Sequence, residues 1–167
     1  MKKAIRYLII LACVLCLFGC SKVSKEQTAN FYYIRSSYVF GKEDGVMMPE
    51  VRSTVQYAGA RETLSAYMGG PQDPTLVSPF PSGTMIIDFY YVGDTLHVVF
   101  NTHLATITKS KQVLACTCFA RTAIELTGVK AVHFETDSSK VARMDPITIS
   151  SDSYLLYDNY GATAATE

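Results

Sequence analysis

The stretch Thr84-Met-Ile-Ile-Asp-Phe-Tyr-Tyr-Val-Gly-Asp-Thr-Leu-His-Val-Val-Phe100 decides the fold. Two runs rich in β-branched and aromatic residues, 84–92 and 95–100, flank Gly93-Asp94, a two-residue hairpin signal. With those residues as the turn, Tyr91 pairs with Leu96, Phe89 with Val98 and Ile87 with Phe100, all on one face by the two-residue period of a strand. The opposite face carries Asp88 beside Val99 and Tyr90 beside His97. One apolar and one mixed face is the pattern of a sheet covered on a single side by helices.

Outward from the hairpin, residues 110–127 read as a helix. At about 100° per residue, Val113, Cys116, Phe119, Ala120, Ala123, Ile124 and Leu126 form one stripe, with Lys111, Thr117, Arg121, Thr122 and Glu125 opposite and Cys118 among this polar set. Gly128 ends the helix, and 129–136 is a strand with Val132 and Phe134 on one face and Ala131, His133 and Glu135 on the other. Asp137-Ser138-Ser139 turns toward a weak strand around Val141 or Ile147. On the other side, residues 31–40 read as a strand and Asp44-Gly45 as a tight turn. Ser53 or Thr54 caps a helix carrying Tyr57, Ala60, Leu64, Tyr67 and Met68, which Gly69-Gly70-Pro71 stops. The loop 71–83 holds four of the six prolines, which favours a rigid connection draped over the fold. The order strand, helix, hairpin, helix, strand predicts an α+β domain, a small mixed β-sheet with two helices packed on one face, over residues 31–149. A polar tail occupies 150–167.

The chain has 167 residues, with 15 basic and 15 acidic side chains and no net formal charge. That length bounds it to one domain, and the missing basic excess argues against a nucleic-acid partner. Lys2, Lys3 and Arg6 precede an unbroken apolar run, 7–18. This is shorter than the roughly 20 residues a membrane-spanning helix needs, so it reads as a signal-peptide core. It ends in Leu17-Phe18-Gly19-Cys20, which resembles the lipobox of bacterial lipoproteins. The resemblance implies cleavage after residue 19, lipidation of Cys20 and a polar tether over 20–30. Loss of three basic residues leaves 12 against 15 acidic ones, a formal −3. Cys13 and Cys16 leave with the signal, so Cys116 and Cys118 are the remaining thiols, too few for a disulfide scaffold.

Four ordered motifs carry a second resemblance: Phe31-Tyr32-Tyr33 in the opening strand; Leu64-Ser65-Ala66-Tyr67-Met68-Gly69-Gly70-Pro71 closing the first helix; Pro81-Ser82-Gly83-Thr84 entering the hairpin; and Thr122-Ala123-Ile124-Glu125-Leu126-Thr127-Gly128-Val129 closing the second helix. Together they resemble the sporulation and spore-germination domain named after GerM, with Thr127 where that pattern has proline and Val99 where it often has an acidic residue. The resemblance implies a non-catalytic extracytoplasmic domain of a Gram-positive spore-former, similar to the ring-building modules of secretion-type assemblies. It implies a place on the outer face of the cytoplasmic membrane.

Candidate chemistry lies on the sheet face away from the helices. Asp88, Tyr90, His97, Val99, His133 and Glu135 form a mixed aromatic surface suited to a protein partner or a second copy; the alternative is that the tether, the first strand or the segment Tyr154 to Tyr160 covers it. His97, His133 and Glu135 are weak candidates for an open metal site. Cys116 reads as a small core hydrophobe. Cys118 reads as half exposed, with disulfide pairing to a second molecule or a nucleophile pair with His133 as the sharper options. His103 reads as a loop residue. No nucleophile elbow, phosphate loop or dinucleotide fingerprint occurs. The expectation is therefore a lipid-anchored contact protein without cofactor, nucleic acid or small-molecule substrate. Its alternatives are a surface metal-dependent hydrolase or a solute- or glycan-binding lipoprotein.

Overall fold

The computed structural model describes residues 27–37, 46–137, 139 and 143–153. In chain order these form β1 (Thr28–Arg35), β2 (Met47–Ser53), α1 (Ala60–Tyr67), β3 (Leu76–Val77), β4 (Ile86–Val92), β5 (Thr95–Phe100), a 3-10 turn (Thr102–Thr106), α2 (Lys109–Thr127), β6 (Ala131–Thr136) and β7 (Ile147–Ser150). The class is α+β. The strands divide between two sheets where the sequence predicts one, a three-stranded antiparallel sheet ordered β2-β1-β3 and a four-stranded mixed sheet ordered β4-β5-β6-β7.

The hairpin holds its expected register from Tyr91–Leu96 through Asp88–Val99, then breaks. Ile86, not Ile87, meets Phe100, so Ile87 is the extra residue of a β-bulge, 47% exposed instead of facing the core. Gly93 has φ 57° and no described non-glycine residue has positive φ, the sign pattern of a type II′ turn with glycine first. β5 and β6 run parallel, and α2 provides the crossover that parallel neighbours require. β7 then returns antiparallel to β6, at the second of the two expected places; the other, Val141, lies outside the described residues.

β2 is an addition to the predicted elements. It pairs with β1 from Thr28–Ser53 to Ile34–Met47, and β1 begins within the expected tether. Thr54 does not cap a helix: its N–H and hydroxyl both donate to the Gln27 carbonyl, closing the end of this ladder at 2.7 and 3.0 Å. The helix starts later, at Ala60, after Gly59. Pro49 sits opposite Tyr32 on an outer strand, where a missing N–H is tolerated. The 71–83 loop contributes β3 to the same sheet and Phe80 to the core. Asp44-Gly45 and residues 38–40 of the predicted first strand lie outside the described residues.

One apolar core joins both sheets and both helices. Phe119 of α2 meets the rings of Tyr67, Phe80, Phe100 and Phe134 edge-on, with centroids 5.6 to 6.2 Å apart. Cys116, Phe119, Ala120, Ala123 and Ile124 of the helix stripe are buried as its periodicity predicts, with Val113 and Leu126 half-buried, but part of the flank expected to face solvent is also buried, at Thr117, Cys118 and Thr122. The cause is β1, whose edge lies along that flank. Cys118 packs into a second cluster with Tyr32 and Met47. Threonines tolerate this because their hydroxyls bond back to helix carbonyls, Thr117 to Val113 at 2.7 Å and Thr122 to Cys118 at 3.1 Å.

Candidate functional site

All six residues expected on the outer face of the hairpin sheet share that face. Register places Tyr90 beside His97 and His97 beside His133, with Thr148 of β7 completing the row; Asp88, Val99 and Glu135 form the next row. Inward-pointing neighbours Leu96, Val98, Val132 and Phe134 are fully buried, which fixes the alternation and aims these six outward. The Tyr90 and His97 rings stack with centroids 4.9 Å apart and planes 17° apart. His97 and His133 follow at 4.8 Å and 44°. His133 Nδ1 is hydrogen-bonded to Thr148 Oγ1 at 2.8 Å, which orients the last ring.

The row is thus a strip of adjoining rings, the first pair stacked and the second tilted, with one hydroxyl anchor. Among the described residues no three His, Cys, Asp or Glu side chains converge to hold a metal ion. Glu135 stands one row from the imidazoles, opposite Val99, because residues two apart on a strand point the same way but are displaced along it. An aromatic and imidazole strip with carboxylates beside it suits a protein surface that excludes water over its rings and meets polar groups at its edge.

The cysteines offer no chemistry on this face. Neither forms a disulfide and both are fully buried. Burial pushes the Cys116 thiol up to about 12. Cys118, expected near the surface, is shut in by Tyr32 and Met47, so pairing with a second molecule and a nucleophile pair with His133 are both ruled out; His133 points away from the core on the far side of the other sheet. His103 is exposed in the 3-10 turn, with its ring against Gly83, where a Cβ would come within 3.3 Å.

The turn motifs acquire physical reasons. Thr84 N–H donates to the Pro81 carbonyl at 3.2 Å across Ser82-Gly83, and Gly83 has φ 83°, so this is a type II turn that glycine alone enters without strain. Gly128 has φ 74° and caps α2 through its N–H to the Ile124 carbonyl at 2.8 Å.

Two arrangements carry no sequence signal of their own, and a third carries a faint one. Arg52 reaches the Glu50 carboxylate and, at 2.7 Å, the Gly70 carbonyl, while its guanidinium lies over Phe31 and Tyr33 at 5.0 and 5.5 Å. Glu50 in turn accepts the N–H groups of Gln72 and Asp73 at 2.8 and 2.7 Å, clasping the loop after α1 onto β2. Tyr32 OH donates to Glu125 at 2.6 Å; burial first, and that carboxylate second, push the hydroxyl up to about 12. The third is the character of β4. Its apolar residues occur on both faces, and that two-sided pattern was the available hint that more than one surface of this strand is in play.

Among the described residues no helix is long and apolar enough to cross a membrane. A family model described as Germane, sporulation and spore germination, matches residues 30–142. No curated protein and no solved structure matches the chain significantly.

Proposed function

The chain belongs to the Germane family of sporulation and spore germination proteins, and we propose that within that process it is a non-catalytic, lipid-anchored extracytoplasmic domain acting by protein–protein contact. The carrying observation is the family match over 30–142, which spans both sheets and both helices except for β7 and the first residues of β1. The ring strip Tyr90, His97 and His133 supports a contact role, since its rings face outward on a sheet whose other face is the core. The basic start, the apolar run and Cys20 support the anchor. With about −3 formal charge after cleavage, the acyl chains rather than electrostatic attraction to anionic lipid would hold the protein at the membrane.

Deleting the gene in its host tests the process. Fewer heat-resistant spores, or slower germination of those formed, is the expected result; unchanged spore yield and germination would overturn the assignment. Complementation with Cys20→Ser tests the anchor separately. The variant should appear in the soluble fraction and fail to restore the phenotype, and its retention in membranes without lipid would remove the anchor from the proposal.

A further inference from the structure

β4 is the outer strand of its sheet, and among the described residues no strand pairs with its free edge. Met85, Ile87, Tyr90, Tyr91 and Val92 are five of the eight large apolar side chains exposed among the described residues. The other outer strands are protected differently: β2 carries Pro49, Glu50 and Arg52, β3 has two residues and β7 four. β4 has neither proline nor lysine and a single charge, Asp88.

The backbone says what kind of group fits. Antiparallel ladders alternate pairs that exchange both backbone hydrogen bonds with pairs that exchange none. A two-residue turn is closed by a bonded pair. Val92 with Thr95 and Tyr90 with His97 therefore spend their groups on β5, while Phe89 and Tyr91 aim N–H and C=O at the outer edge, where the Phe89 N–H donates to the Asp88 carboxylate at 2.8 Å. An edge of this kind accepts an extended strand.

We propose that the strand is β4 of a second copy, paired antiparallel about a two-fold axis through Tyr90, so that two four-stranded sheets become one of eight. The strand is its own complement in this register. Phe89 stands opposite Tyr91 of the second copy, twice, and all four outward backbone groups of each strand are used once the Asp88 carboxylate yields the Phe89 N–H to the Tyr91 carbonyl of the second copy. The faces are preserved, with Tyr90 against its counterpart outside and the Phe89–Tyr91 aromatic pairs inside. Asp88 meets Val92 of the second copy, whereas the register centred on Asp88 sets the two carboxylates against each other. The inference rests on the reading of the domain as a contact module and names one of its surfaces.

The test uses the purified full-length chain with Cys13, Cys16 and Cys20 replaced by Ser, so its outcome is independent of the spore phenotype and of the N-terminal thiols. In this register the Tyr90 backbones approach to roughly 4.5 Å, within disulfide range. Tyr90→Cys, oxidised by air with copper phenanthroline, should give a covalent dimer as two thiols lose two protons and two electrons to oxygen. Asp88→Cys should give little, because its introduced thiol faces Val92. Tyr91→Pro, added to Tyr90→Cys, removes one outward N–H per copy without touching the β5 ladder, and should cut the dimer at least about tenfold with the circular dichroism unchanged. Sedimentation of the unmodified chain keeps the proposal falsifiable should the proline variant not fold. A monomer at about 100 µM, absence of the Tyr90→Cys dimer, or equal cross-linking through Asp88→Cys would each overturn the pairing.

Discussion

Replacing Thr122 by Val tests how the three-stranded sheet is joined to α2. β3 is too short to cover the edge of β1, so the groups of Tyr32 on that side find other partners: its N–H donates to Thr122 Oγ1 at 2.9 Å, and its carbonyl accepts the Tyr67 hydroxyl at 2.7 Å. Valine keeps the shape of threonine and a similar helix propensity, so packing and helix survive. What changes is that the buried Tyr32 N–H loses its acceptor, at a cost of about 1–3 kcal/mol. The bond from Thr122 to the Cys118 carbonyl matters little, since that carbonyl already accepts a helical N–H. Thr117 supplies an internal control. It is equally buried on the same helix, but its hydroxyl donates only to the Val113 carbonyl. Thr117→Val should therefore lie within about 0.5 kcal/mol of the parent. In urea, at about 2 kcal/mol per molar, Thr122→Val should lower the midpoint by roughly 0.5–1.5 M and Thr117→Val by less than about 0.3 M. Amide exchange locates the effect, with Tyr32 losing protection. Equal midpoint shifts, or an unaltered Tyr32 amide, would refute the reasoning.

Two further outcomes follow from burial. A maleimide added near neutral pH should leave Cys116 and Cys118 unmodified in the folded chain and label both after denaturation, as read by peptide mass spectrometry; labelling of native Cys118 at the rate of a free thiol would contradict the closed second cluster. In alkali, burial holds the Tyr32 hydroxyl up to about 12, and Tyr33 and Tyr67 are raised further, against 10.0 for an ordinary tyrosine. The folded state keeps these protons longer than the unfolded one, so their stabilising contribution is complete below about pH 10 and is lost as pH rises to 12 and beyond. Tyrosine ionisation followed by ultraviolet absorbance should therefore become steep and coincide with loss of circular dichroism. Independent titration of every tyrosine near pH 10 in a chain that stays folded would be the contrary result.

The hairpin, the α2 stripe, the closing strand and the outward set Asp88, Tyr90, His97, Val99, His133 and Glu135 were legible in the sequence. Each follows from a local rule: a turn pair sets register, and a period of two or 3.6 sorts one element's side chains into faces. The family motifs were legible for the same reason, because Gly83 and Gly128 answer to backbone angles within a few residues. Tertiary structure alone decided the rest. Periodicity reports how many faces an element has but not what arrives against them, so a flank holding Thr117, Cys118 and Thr122 read as polar until β1 came to lie along it. β2 was hidden because its pairing depends on β1, and its proline and charges obscure a strand pattern that only an outer position permits. The bulge at Ile87 and the edge of β4, with which no described strand pairs, likewise belong to the relation between strands. Sequence determined which residues could share a face; long-range packing determined which faces met protein and which were left open.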